Sequence, residues 1–209
     1  MGTLAEILQH KIVAIIRGAE PMDVLKIAEA LHEGGVRLLE VTFNSPNAME
    51  VLQELSMKLG NKLLIGMGTV LDAATANKAI GLGAKFIISP SFNNEIVQET
   101  KRLGAVSIPG AFTATEIVNA FNAGGDIIKV FPASGNVNYI KEIRAPLNHI
   151  PLMPTGGITL ENIEAFHKAG AVAFGIGTAL VNTKEKVTEE YLKQLTERAH
   201  KFAMAVTGL

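Results

Sequence analysis

Two charged residues stand where a buried strand should be apolar. Lys129 lies in Ile-Ile-Lys-Val-Phe and Glu40 in Leu-Leu-Glu-Val-Thr-Phe. Runs of this kind are normally covered on both faces. A lysine held there is either paired or stripped of its proton, because burial disfavours the charged form. A neutral amine is a nucleophile toward ketones, so Lys129 is a candidate Schiff-base residue. A carboxylate beside it can move protons through iminium formation, carbon–carbon cleavage and enamine protonation, which gives Glu40 an acid/base role. A structural Lys129–Glu40 ion pair is the competing reading, and position alone leaves both open.

Arg17 follows the apolar run Ile12–Ile16 and offers a guanidinium able to grip a carboxylate with two parallel hydrogen bonds. Two glycine turns come late in the chain, Thr155-Gly156-Gly157-Ile158 and Gly175-Ile176-Gly177-Thr178. Exposed backbone N–H groups in such turns bind phosphate, and glycine lets the anion approach. Glycines that merely tighten the chain are the competing reading there.

These groups need a scaffold. A helix-like stretch ending in small residues precedes a short apolar run again and again, as in EGGVRLLEV, GLGAKFIIS, RLGAVSIP, AGGDIIKVF and KAGAVAFGIG. Gly83, Gly104 and Gly125 recur at a 21-residue interval and predict helix ends. Eight runs read as strands: 12–16, 38–42, 63–66, 86–89, 106–108, 127–131, 152–154 and 172–176. Their ends are 20 to 26 residues apart, room for one crossover helix each. The prediction is an α/β chain forming one (β/α)8 barrel over residues 1–209, with a short extra helix at Leu4–Gln9 and a final helix at Val187–Val206. Pro21 and Pro46 sit where helices begin, and Thr113-Ala-Thr-Glu116 has capping-box spacing. An open doubly wound sheet is the rival, but the turn after the first strand lacks G-x-G-x-x-G. In a barrel the strand C-termini carry the chemistry, and Arg17, Glu40 and Lys129 fall at or near such ends, as do both glycine turns.

Other chemistries lose ground. With no cysteine among 209 residues, thiolate catalysis and Cys-ligated metals are excluded. None of the five histidines falls at a strand C-terminus, which argues against a His-ligated metal and a Ser-His nucleophile. A formal net charge of −1 gives no reason to expect nucleic acid or a membrane surface as partner. No apolar run approaches the ~20 residues of a membrane span, and MGTLAEILQHK lacks a secretory pattern, so a cytoplasmic protein is expected.

The segments IVAIIRG, GGVRLLEVTFNSPNA, GMGTVLD, AKFIISPSF, IPGAFTATE, IKVFPAS, MPTGGI and FGIGTAL, in this order, resemble the 2-keto-3-deoxy-6-phosphogluconate (KDPG) / 4-hydroxy-2-oxoglutarate (KHG) aldolase family across essentially the whole chain. The resemblance implies a class I aldolase on a (β/α)8 barrel, a homotrimer with no metal or organic cofactor. It places the Schiff-base lysine of K-x-F-P-A at Lys129, the acid/base glutamate of E-V-T at Glu40, and a pyruvate-carboxylate contact at Thr69. It places the phosphate end at Gly156, Gly157, Gly175, Gly177 and Thr178. Some members carry an arginine four residues after the glutamate; here that position is Asn44, so the carboxylate role passes to Arg17. The implied substrate is KDPG, cleaved to pyruvate and glyceraldehyde 3-phosphate. Alternatives are the same chemistry on 4-hydroxy-2-oxoglutarate or the galactonate isomer, a sugar-phosphate isomerase or epimerase, and a binding barrel without turnover.

Overall fold

The computed structural model describes residues 2–208. Helix α1 (Thr3–His10) precedes β1 (Ile12–Ile16), α2 (Pro21–Glu33), β2 (Leu38–Thr42), α3 (Ala48–Leu59), β3 (Leu64–Gly68), α4 (Ala73–Gly81), β4 (Phe86–Ile88) and α5 (Asn94–Arg102). Then follow β5 (Val106–Ile108), β6 (Gly110–Ala111), α6 (Ala114–Asn122), β7 (Ile128–Val130), α7 (Val137–Arg144), β8 (Leu152–Pro154), α8 (Ile163–Lys168), β9 (Phe174–Ile176) and α9 (Glu189–Ala205).

All the strand pairs are parallel. Six strands run in the order β5-β4-β3-β2-β1-β9 and three in the order β6-β7-β8. Two bridges, Leu152↔Ala171 and Thr155↔Gly175, join the sheets at β8 and β9. At the other seam Asp126 N donates to Ser107 O (2.9 Å) and Lys129 N to Pro109 O (2.9 Å). Strands β5 and β6 are therefore one stave, interrupted at Pro109, which has no N–H to give a ladder. Counted this way the structure is the expected eight-stave barrel with its short N-terminal helix.

Alternation along the strands sorts their side chains into two sets. Ile12, Ala14, Leu39, Val41, Ile65, Ile128 and Val130 pack with the helices in one apolar cluster. Val13, Leu38, Phe86, Ile88, Val106, Ile108, Ile127 and Met153 form a second cluster, the barrel interior, which Ile7 of α1 joins. Glu40 is two residues beyond Leu38 and Lys129 two beyond Ile127, so both share the interior parity.

Local signals explain most element ends. Pro21 opens α2 at its first turn. Thr113 and Glu116 form the reciprocal capping box on α6. Other details depart from expectation. The third strand lies at 64–68 rather than 63–66, and the last begins at Phe174 rather than 172. Pro46 does not begin a helix: α3 starts at Ala48, preceded by Asn47 in a left-handed conformation with no side-chain capping bond. Gly83 and Gly104 have positive φ as the 21-residue spacing predicts, but in the third repeat the left-handed residue is Gly124. Gly125 instead packs its backbone against Pro109, where a Cβ would come within 2.8 Å of the ring.

Candidate active site

The strand register fixes where each charged interior residue sits. Ile15 pairs with Glu40 and Glu40 with Gly66, while Lys129 pairs with Gly110 on one side and Met153 on the other. Glu40 is 0% exposed and Lys129 3%. Strand β3 makes room for the carboxylate, because a Cβ on Gly68 would overlap it outright. Neither oxygen of Glu40 has a hydrogen-bond partner among the described residues. A structural ion pair would use those oxygens, since a buried charge left unsatisfied is costly. The amine of Lys129 sits 5.0 Å from the centre of the Phe131 ring.

Burial is the main influence on both titrations. It pushes the Glu40 carboxyl up, opposed by the charges of Lys129 and Arg17. It pulls the Lys129 amine down, opposed by Glu40 and assisted by Arg17. Both shifts favour the neutral forms, and a neutral Lys129 amine is what attack on a carbonyl needs.

Arg17 stands at the mouth above this pair. Its Nη1 donates to Asn44 Oδ1 (3.2 Å) and its Nη2 to Thr69 Oγ1 (3.4 Å). The turn behind it is tied down twice more. Gly18 N donates to Ser45 Oγ (2.8 Å), and Thr183 Oγ1 donates to Arg17 O (2.7 Å). Thr69 holds φ +58°, a left-handed conformation that is rare for a β-branched residue and concentrates at functional sites.

A cavity of about 410 Å³ opens at this end, lined by Arg17 and Phe131, by both glycine turns with Thr155, Thr159 and Thr178, and by Thr183 and Lys184. Gly156 and Gly157 have φ of +94° and +72°, and a Cβ on Gly157 would lie 2.5 Å from Gly135 N. A Cβ on Gly175 would overlap Thr155, while Gly177 faces open space. Every carboxylate and phosphate residue expected from the sequence lines this cavity except Thr69, which reaches it through Arg17. Lys129 adjoins it through Phe131. A second cavity, about 420 Å³, opens at the opposite end among Gln9, His10, Lys11 and the α9 terminus, and holds none of these residues.

Sequence reasoning named Thr155 and Asn44 without giving either a role, and missed Thr183 and Lys184. Thr155 carried a signal, since it continues the interior alternation of Met153. Its hydroxyl is buried without a partner and lines the cavity. Thr183 and Lys184 carried none, because they lie in a loop whose course depends on packing at long range.

The family model for KDPG and KHG aldolases matches residues 4–197. The chain belongs to this family. The 2-dehydro-3-deoxy-6-phosphogalactonate aldolase of Escherichia coli K12 is 32% identical over 84% of this chain and 87% of its own. The 2-dehydro-3-deoxy-phosphogluconate aldolase of Treponema pallidum is 33% identical over 79% and 80%. A KDPG aldolase from Legionella pneumophila, solved with pyruvate captured as a covalent carbinolamine, superposes with a TM-score of 0.83 at 28% identity, over 99% of this chain and 98% of that one. This member of the KDPG and KHG aldolases is thus a lyase of the class I aldolase type on a TIM-barrel-like fold. No helix among the described residues is long and apolar enough to cross a membrane.

Proposed function

We propose that this aldolase cleaves 2-keto-3-deoxy-6-phosphogluconate to pyruvate and glyceraldehyde 3-phosphate, with Lys129 as the Schiff-base residue. The observation that carries the reading is the buried Lys129–Glu40 pair with the unpartnered carboxylate beneath a cavity lined by Arg17 and both glycine turns. Lys129 Nζ attacks the C2 ketone, and the carbinolamine loses water as Glu40 transfers protons. The iminium accepts the electron pair of the breaking C3–C4 bond, and the C4 hydroxyl proton passes to the base. Glyceraldehyde 3-phosphate leaves. The enamine takes a proton at C3, and water releases pyruvate and regenerates the amine. Arg17 and Thr69 hold the carboxylate, and the amides about Gly156, Gly157, Gly175 and Gly177, with the Thr178 hydroxyl, hold the phosphate. Anchoring both ends sets C2 against the amine, where proximity contributes most.

Borohydride reduction in the presence of pyruvate tests the assignment. A pyruvate-sized adduct is expected on the peptide carrying Lys129 and is expected to vanish in Lys129→Ala. An adduct on another residue, or full turnover by that variant, overturns it. The Escherichia coli relative favours a second reading, the galactonate isomer of the substrate, which differs at C4. Comparing kcat/KM on the two phosphorylated isomers decides between them, and equal turnover of 4-hydroxy-2-oxoglutarate would remove the phosphate requirement. The same reading includes a homotrimer, for which exposed Phe43, Leu71 and Phe112 supply apolar surface. A light-scattering mass of one chain would refute it.

A further inference from the structure

We infer that Lys184 is a specificity-determining residue that supplies the positive charge at the phosphate end of the substrate. The inference rests on the aldolase reading above and assigns a residue to it that no motif marked.

The cavity wall carries two cations, Arg17 and Lys184, and no acid. Four threonine residues line it as well, Thr155, Thr159, Thr178 and Thr183. The Thr155 hydroxyl is buried and lacks a protein partner. Such a wall suits a ligand with an anionic group at each end. Arg17 is held by Asn44 and Thr69 on the side of β2 and β3, away from the glycine turns, so one cation is assigned to the carboxylate. Lys184 is then the remaining cation for the phosphate. Backbone amides and hydroxyls bind phosphate without full charge, whereas an ammonium adds a charge-assisted contact.

Lys184 is presented by a loop with fixed anchors. Its neighbour Thr183 donates to Arg17 O, and its own N–H donates to Asn182 Oδ1 at 3.3 Å. The nearest acid in sequence, Glu185, accepts from Asn182 Nδ2 at 2.5 Å. Lys184 also borders an adjoining cavity that includes Glu20 and Asp23, but Asp23 pairs with Lys26 at 3.3 Å. Among the described residues Lys184 forms no ion pair.

The test uses the condensation direction, because glyceraldehyde 3-phosphate and glyceraldehyde differ only in the phosphate. The wild-type protein is first trapped with pyruvate and borohydride; failure to label Lys129 overturns the aldolase reading and this inference with it. With that adduct established, the ratio of kcat/KM for glyceraldehyde 3-phosphate over glyceraldehyde is compared in wild type, Lys184→Met and Lys184→Arg. The ratio is expected to fall about tenfold in Lys184→Met, the loss of one charge-assisted contact, and to recover in Lys184→Arg. Inorganic phosphate is expected to compete less well against glyceraldehyde 3-phosphate in the methionine variant. An unchanged ratio overturns the assignment while leaving the aldolase reading intact, and so does an equal loss on both aldehydes.

Discussion

Glu40 acts on Lys129 in two opposed ways. Its carboxylate, when charged, favours the ammonium and raises the lysine's pKa, while the burial that the two share lowers it. Amine attack needs the deprotonated form, so the rate of imine formation with pyruvate is expected to rise with pH through a midpoint below the ordinary lysine range. In Glu40→Gln the opposing charge is gone, and burial and the Arg17 charge both act downward. The midpoint is then expected to move to lower pH, even as turnover falls for want of the proton carrier. Stopped-flow measurement of imine formation against pH checks the sign, and a shift to higher pH would show that Glu40 does not act on the amine as a charge. Lys129 and Glu40 were legible in the sequence because a charge within an apolar run breaks an otherwise uniform pattern. Asn44 was legible only as the place of a missing arginine. What it does, holding Arg17 Nη1, required the distance between the turns after β1 and β2.

Among the elements, β3 decides whether the Glu40 side chain fits. Its interior-facing positions are Leu64, Gly66 and Gly68; the last two leave the space that Phe86 and Glu40 occupy. Gly68→Ala would force the Glu40 carboxylate aside, because a methyl group there has nowhere else to go. A displacement of about 1 Å at a reacting group costs on the order of 100-fold, so kcat is expected to drop by about that factor. Turnover within twofold of wild type would show that Glu40 does not work from this position. In the sequence these glycines look like turn residues, since glycine weakens a strand. Their purpose appears only when β2 and β3 are in register, Glu40 opposite Gly66 and Thr42 opposite Gly68. The staves themselves were readable from composition, and the errors fell at their ends. The 152–154 segment is bounded by Pro151 and the Gly156 turn and was placed without shift, whereas 172–176 lost two residues, because this stretch meets the β8 side in two isolated bridges, at Ala171 and Gly175, rather than in a ladder through Val172 and Ala173.

At the scale of the molecule the buried pair is a cost that the apolar barrel carries. A group with a lowered lysine pKa binds fewer protons folded than unfolded between its folded and ordinary values, so stability rises with pH across that window. A carboxyl with a raised pKa binds more protons folded, so stability falls as pH climbs from the ordinary carboxylate value to the folded one. Glu40 and Lys129 follow these two patterns. Replacing both, as Lys129→Met with Glu40→Gln, removes both dependences. Exchanging a buried ionisable amine for an apolar side chain of similar volume relieves a desolvation cost of about 1–3 kcal/mol. At roughly 2–4 °C per kcal/mol for a chain of this size, the melting temperature is expected to rise by several degrees and to vary less with pH. A lower melting temperature would show that the pair contributes to the fold. Barrel closure was predictable from eight regularly spaced runs, but the break at Pro109 was not. Nothing in Val106–Ala111 alone says that Lys129 N and Asp126 N will bridge the interruption.

The interior below the pair is packed solid with Leu38, Phe86, Ile127 and Met153, and Ile7 of α1 is driven into its base. Among the described residues the pair is therefore reached from the end where the Arg17 cavity opens. In the proposed mechanism substrate, water and both products pass this opening in turn, and the phosphorylated aldehyde, bound nearest to it, stands between the solvent and the carbon still bonded to Lys129. Departure follows a queue: the aldehyde first, then a water inward, and pyruvate last.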